Sequence, residues 1–343
     1  MTQPVKFGII GTGAIAGQHA AAIKELPEAE LVAVCSSSPE RANQAEEKLG
    51  VKAYSNWEDF LAHPGMEAVS ICTASGHHME PAIKAAHAGK HILVEKPVEI
   101  NLERAEMMIK ACEDNGVKLG VVFQNRFNKD FIRLKEAVSQ GELGKLLMGN
   151  AYIKWFRDKD YYASSQWKGT FKGDGGGALI NQGIHTIDLL LDIMGDVEAV
   201  YGQVKTTLYD IEGEDLGTSV VNFKNGALGN ITGGTALYPG YPERLEIFGT
   251  EGSVILEAGK IVEWNIRGQE PGQKVQKDQQ KSGSADPMAI GHQLHLAQFK
   301  DMVEAIRNDR SPLVDGTTAK KALAVVLGIY QSSGEGQQVK VQS

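Results

Sequence analysis

The stretch Val5-Lys6-Phe7-Gly8-Ile9-Ile10-Gly11-Thr12-Gly13-Ala14-Ile15-Ala16 decides the fold. Val5–Ile10 is a largely apolar run and reads as a strand buried in a parallel sheet. Two glycines then open a segment, Ala14–Leu26, with helical spacing. Strand, glycine turn and helix in that order make the GxGxxA form of the dinucleotide fingerprint. Gly11 allows the tight turn. Gly13 lets a pyrophosphate approach backbone N–H groups at the helix N-terminus, and Ala16 lets helix and strand pack closely.

The alternation continues outward from that motif. Leu31–Cys35, Ala68–Cys72, His91–Val94 and Leu119–Phe123 repeat the strand signal. Pro39–Leu49, Pro81–Ala88 and Leu102–Asn115 read as helices between them, with Pro39 suited to a helix start. The pattern predicts a doubly wound α/β domain over residues 1–124, with a parallel sheet covered on both faces. Past residue 124 the grammar changes. A helix, Asn128–Gln140, precedes longer alternating segments from Leu146–Phe156 to Lys260–Asn265, separated by turns such as Lys224-Asn225-Gly226. Residues 125–343 are therefore expected to form a second α/β domain on a large open, mostly antiparallel sheet. Gly268–Asp286 reads as a solvated mobile loop, and Pro287–Asn308 and Thr317–Gln331 as closing amphipathic helices.

Composition narrows the function. Lys plus Arg is 35 and Asp plus Glu is 43, a net charge of −8, so a dedicated nucleic-acid binder is excluded. The longest apolar run, Ala322–Tyr330, is nine residues, far short of a membrane span, and no signal peptide is expected, since Met1–Lys6 runs straight into a strand pattern. Three cysteines, Cys35, Cys72 and Cys112, sit in apolar segments and read as reduced thiols of a cytoplasmic protein.

Three strings carry chemistry. After the second strand, Cys35-Ser36-Ser37-Ser38 has no acid to hold a ribose; Ser36, Ser37 and Arg41 suit a 2′-phosphate and favour NADP over NAD. The fifth strand ends Glu95-Lys96-Pro97, at the sheet edge where such folds bind ligands. Gly175-Gly176-Gly177 feeds an apolar-periodic helix that carries Asn181, His185 and Asp188 on one face. A histidine between an amide and a carboxylate, one turn to each side, reads as a positioned proton acceptor. The remaining histidines are scattered, and no metal site is expected.

Together the strings GTGAIA, AGKHILVEKP (88–97), GGGALINQGIHTID (175–188) and PLVDGTTAKKALAVVLGIYQS (312–332) resemble the Gfo/Idh/MocA oxidoreductases over essentially the whole chain. The resemblance implies an NAD(P)-dependent dehydrogenase or reductase acting on a secondary alcohol of a sugar, cyclitol or nucleotide sugar. It also implies a homodimer or homotetramer formed through the second sheet. Lys96 matches the lysine that hydrogen-bonds the reacting hydroxyl, and His185 the active-site histidine. Many members carry aspartate where this chain has Asn181. NQGIH, with Trp155, Tyr161-Tyr162 and Trp167-Lys168-Gly169-Thr170, is similar to the nucleotide-sugar 3-dehydrogenase branch. The resemblance extends the cofactor contacts to Gly11, Thr12, Gly13, Ala14, Ile15, Thr73, Ala74, His78, Glu95 and Gln124. Arg126, Arg157, Tyr162 and Trp167 are the candidate substrate contacts, with an interdomain salt bridge as the alternative for Arg126. A nicotinamide-dependent glycosidase and a non-catalytic cofactor sensor remain the other readings.

Overall fold

Val5–Ile10 is the first strand of a computed structural model that describes residues 3–269 and 291–342. In chain order the elements are β1 (Val5–Ile10), α1 (Ala14–Glu25), β2 (Ala29–Cys35), α2 (Pro39–Leu49), β3 (Lys52–Tyr54), α3 (Trp57–Leu61), β4 (Ala68–Ile71), α4 (Met79–His87), β5 (His91–Val94), α5 (Leu102–Asp114) and β6 (Leu119–Val121). There follow α6 (Lys129–Ser139), β7 (Leu146–Lys154), α7 (Lys159–Ala163), a π-helical turn (Leu179–Gly183), α8 (Ile184–Met194), β8 (Val197–Lys205), β9 (Leu216–Phe223) and β10 (Leu228–Gly234). The chain closes with β11 (Arg244–Gly249), β12 (Gly252–Glu257), β13 (Lys260–Ile266), α9 (Gln293–Arg307), α10 (Gly316–Glu335) and β14 (Val339–Lys340).

Two compact units result. Unit one holds the chain up to Gln124 and again Gly291–Lys320; unit two holds the rest. Gly291–Lys320, expected in the second domain, packs with unit one. The reason is hydrophobic: α9 lies against α1, and Phe299, Met302 and Val303 join Phe7, Ile9, Ile23 and Leu93 in one buried cluster. Phe299 meets Phe7 edge to face at 5.3 Å. The expected loop over Gly268–Asp286 and the start of the helix expected at Pro287 lie almost wholly outside the described residues.

Unit one is built on a six-stranded sheet, β3-β2-β1-β4-β5-β6, parallel throughout. The order reverses at β1, so the carboxyl ends of β1 and β4 flank the point where such sheets bind ligands. Ser38 starts α2 by accepting the Arg41 N–H at 3.3 Å, with Pro39 behind it. Unit two carries an eight-stranded sheet, β13-β12-β11-β7-β10-β9-β8-β14, antiparallel except for β7 with β10. Its strands alternate: Val200, Val221 and Ile231 are buried, while Tyr201, Val220 and Leu228 are exposed. No helix among the described residues is long and apolar enough to cross a membrane.

Candidate functional site

In unit one the glycine turn follows β1. Gly11 has φ +99°, and a Cβ there would stand 2.7 Å from the Cys72 carbonyl oxygen, so only glycine fits. Gly13 is different. A Cβ on it would meet nothing within 4 Å, so the protein's own packing does not require glycine there. Gly13 is the N-cap of α1, which has no side-chain cap and no acid in its first turn. An uncapped twelve-residue helix with its N–H groups and positive dipole end open is an anion site. Ala14 and Ile15 begin that helix, and Ala16 is buried under it. The residues present therefore fit a dinucleotide pyrophosphate.

Around this turn, Thr12 and Ser36 share a hydroxyl–hydroxyl bond of 3.0 Å. Ser37 and Arg41 are exposed. Ser38 serves as the α2 cap. Thr73 donates its hydroxyl to the His77 carbonyl at 2.8 Å, in a loop with Ala74. His78 is buried, and its ring nitrogens lie 2.9 Å from the Pro97 carbonyl and 3.3 Å from that of Thr73. Burial pushes its pKa down. The geometry makes His78 a brace between the loops after β4 and β5. Gln124 Oε1 is buried with no hydrogen-bond partner among the described residues.

Lys96 stands half-buried at the carboxyl end of β5. The buried Glu95 before it accepts the Lys96 backbone N–H at 3.1 Å and the His19 ring at 2.8 Å. His295 Nε2 is 4.0 Å from the same carboxylate. The other nitrogen of His19 meets Ser70 Oγ at 2.7 Å and Cys72 Sγ at 3.3 Å. Burial alone would lower His19, yet Cys72 and Glu95 hold it at about 10. Burial alone would raise Glu95, yet His19 holds it at about 2. Burial lowers His295 to about 4. His19 and Glu95 are thus a charged pair at neutral pH, with His295 neutral beside them. Scattered in sequence, these three form a group that offers ligand atoms within 4.8 Å of one another.

In unit two, Glu214 and Tyr330 leave no room for side chains at Gly177 and Gly176. A Cβ on Gly177 would fall on the Glu214 carbonyl oxygen. The Glu214 carboxylate accepts the Gly177 N–H at 2.9 Å, the Leu179 N–H at 2.6 Å and the Tyr330 hydroxyl at 3.0 Å. It caps the start of the helical segment from across the fold. Burial raises its pKa to about 7, since these donors are all neutral.

The expected single helix over this segment begins instead as a π-helical turn, which carries Asn181, before α8 carries His185. Asn181 Nδ2 donates to both oxygens of Asp174, at 2.6 and 2.8 Å. His185 is half-buried. Asp188 faces elsewhere. The Arg126 guanidinium grips it twice at 2.7 Å and also holds Asp192 at 2.8 Å. The amide–histidine–carboxylate reading is corrected at its third member: Asp188 is fully buried and paired with Arg126. Arg126, expected to face substrate or to bridge the domains, makes these ion pairs inside unit two.

Two of the other substrate candidates, Arg157 and Tyr162, lie in an aromatic–cation cluster. The Arg157 guanidinium lies 4.8 Å from the Trp155 ring centroid and 5.4 Å from that of Tyr161. Lys168 Nζ sits 4.0 Å over Tyr161. Tyr162 bonds Thr235 Oγ1 at 2.7 Å. Burial, with Asp174 adding to it, raises Tyr161 to about 12, so its hydroxyl stays protonated and is no general base. Trp167 is half-buried, and its carbonyl accepts the Thr170 hydroxyl at 2.7 Å. Sequence reasoning missed Asp174, Glu214, Tyr330 and His295. Only Asp174 left a local signal, an acid directly before three glycines.

Comparison with known proteins agrees with both units. Residues 5–123 match the family described as "Oxidoreductase family, NAD-binding Rossmann fold", and residues 131–255 match the "GFO/IDH/MocA C-terminal domain". The chain is 30% identical to a myo-inositol 2-dehydrogenase of Thermotoga maritima, over 98% of this chain and 99% of that protein. It is 27% identical to an NADP(+)-dependent scyllo-inositol 2-dehydrogenase of Bacillus subtilis, over 98% of this chain and 96% of that one. Among solved structures, the WlbA dehydrogenase from Bordetella pertussis, in complex with NADH and UDP-GlcNAcA, is 31% identical. It superposes with a TM-score of 0.88, over 99% of this chain and 100% of that one.

Proposed function

The chain belongs to the Gfo/Idh/MocA family of NAD(P)-dependent oxidoreductases, and from that premise we propose that it interconverts a secondary alcohol and a ketone on an anionic sugar of the nucleotide-sugar type. The observation that carries the chemistry is the pairing of an open glycine cradle after β1 with Lys96 after β5, on one edge of one parallel sheet. A cofactor sensor needs the first and has no use for the second.

When bound, the nicotinamide dinucleotide supplies the two-electron carrier. Lys96 hydrogen-bonds the reacting oxygen and stabilises negative charge as it develops there. His185 takes the hydroxyl proton in oxidation and returns it in reduction. Asn181 orients the substrate hydroxyl. The substrate class rests on charge. Arg157 and Lys168 place two cations near Asp174, and that pair of cations suits a uronate or phosphate better than a neutral cyclitol. Support for NADP comes from Ser36, Ser37 and Arg41 and from the absence of an acid directly after β2. The exposed Tyr201, Val220 and Leu228 support a homo-oligomer through the second sheet, and the three free buried cysteines support a cytoplasmic setting.

The test is reduction of NADP and NAD by a panel of UDP-sugars, uronates and inositols, run on the parent, Lys96→Ala and Arg41→Ala. Lys96→Ala should fold normally and lose roughly 10²–10⁴ in turnover. Arg41→Ala should weaken NADP about 10- to 100-fold and leave NAD little changed. Turnover of inositols alone would overturn the anionic class. A Lys96→Ala variant as fast as the parent would remove Lys96 from the mechanism. Sugar release from aryl glycosides without net reduction would make the protein a glycosidase.

A further inference from the structure

We propose that Asp174 is a positioning residue of the active site, which fixes the Asn181 amide so that position 181 presents an oxygen acceptor to the substrate. The inference deepens the dehydrogenase reading and rests on it for the identity of the reaction.

The argument starts from the chemistry of an amide. Asparagine carries an acceptor at one end and donors at the other, and a rotation of χ2 exchanges them. An unconstrained asparagine can therefore offer a hydroxyl either polarity. At Asn181 that choice is made by its neighbour. Nδ2 donates to Asp174 Oδ1 at 2.6 Å and to Oδ2 at 2.8 Å. A carboxylate accepts only, so the amide cannot turn over without setting its oxygen against two others. With Nδ2 held, Oδ1 lies on the far edge of the amide.

Asp174 is built for that task. It is 2% exposed, and its Oδ2 also takes the Gly169 N–H at 3.0 Å. It stands just before the glycine run, and Asn181 stands in the π-helical turn just after it. Asn181 remains partly exposed, one turn from His185 along the same helical segment. The buried carboxylate polarises the amide, and hydrogen bonds in series strengthen one another. Position 181 therefore acts as a strong acceptor without carrying charge itself, and the charge is set back on Asp174. The titratable and charged groups around Asp174 include Tyr161, Tyr162, Lys168 and Tyr330, with Arg157 and Glu214 acting on the same side chains. The three tyrosines are held above their ordinary range.

The experiment uses three variants of the full chain: Asp174→Asn, Asn181→Asp and the exchange of both. Asp174→Asn should release the amide and lower kcat/KM about 10- to 100-fold, the loss of one charge-assisted hydrogen bond. Asn181→Asp should set two carboxylates against each other, so that one holds a proton and the pH profile gains an inflection absent from the parent. The exchange restores one amide and one carboxylate and should recover most of the loss. A second readout needs no substrate. In protein labelled with ¹⁵N-asparagine, the Asn181 side-chain amide, identified by its absence from Asn181→Asp, should exchange slowly with water. In Asp174→Asn it should exchange fast. An Asp174→Asn variant within twofold of the parent, an exchange variant no better than the poorer single one, or an amide signal indifferent to Asp174 would each overturn the inference. If the parent oxidises no sugar alcohol, the dehydrogenase reading fails, and the amide measurement still decides the positioning.

Discussion

Glu95 in unit one and Glu214 in unit two are both buried carboxyls beside segments that carry candidate catalytic residues, yet their environments drive them in opposite directions. Glu95 is held at about 2 and Glu214 is raised to about 7. Desolvation by burial is the largest influence on each and raises both. The partners make the difference. Glu95 faces a protonated His19, whereas Glu214 is met by two backbone N–H groups and a phenol, which are neutral. A full set of hydrogen bonds satisfies a buried carboxyl's geometry, but only an opposite charge keeps it ionised. The unit with Lys96 thus carries a fixed ion pair beneath its site, and the unit with His185 carries a carboxyl able to change state near neutrality.

The largest expected effect breaks the contrast outright. His19→Leu strands the Glu95 carboxylate in the core and should destabilise the protein by about 3–5 kcal/mol at pH 7, read by urea titration. A loss below about 1 kcal/mol would show that Glu95 never depended on His19. The sign with pH follows from the two directions. The His19 contribution is complete below its ordinary 6.5 and is lost as pH rises towards 10. That of Glu95 is complete above its ordinary 4.5 and is lost as pH falls towards 2. Their sum should peak between those ordinary values.

Glu214 should behave in reverse. Its folded form binds a proton more tightly than the unfolded chain does, so stability falls as pH rises from its ordinary 4.5 to about 7, by roughly 3 kcal/mol. Glu214→Gln should remove that slope, although it also gives up an acceptor. Thermal melting of both proteins from pH 4 to 8 is the measurement, and parallel curves would refute the assignment. The smallest effect is Tyr330→Phe, which deletes one neutral donor to the same carboxyl. It should cost about 1 kcal/mol and carry the falling part of the stability curve to higher pH. A curve displaced to lower pH would mean that the phenol was not supporting the ionised form.

Much of unit one was legible because its signals are local. The glycine turn, the apolar strands and Pro39 each announce themselves within a few residues. β3, three residues long, and α3, five, are too short to establish a period and were not foreseen. In unit two the strands were legible from their alternation and turns. The π-helical turn was not, since one residue of extra winding leaves the apolar pattern almost unchanged. The candidate site residues Lys96, Asn181 and His185 stand out in the sequence because unusual residues sit in unusual strings. The sequence is silent where residues pair across the fold: Glu214 lies 37 residues from Gly177, and Asp188 meets Arg126 across 62. Nothing near Asp188 in the sequence shows that its charge is already taken.

The return of Gly291–Lys320 to unit one bears on how the chain is made. When residues up to Gln124 have left the ribosome, β1 and α1 are complete, but Phe299, Met302 and Val303 do not yet exist. Phe7 and Leu93 wait with part of their apolar surface uncovered. At ordinary rates of synthesis the missing helix follows about 10–40 s later. The nucleotide-binding unit is thus finished only after the strands of the second unit's large sheet up to β13 have been made. Through that interval its unfinished face is the part of the nascent protein most in need of a chaperone.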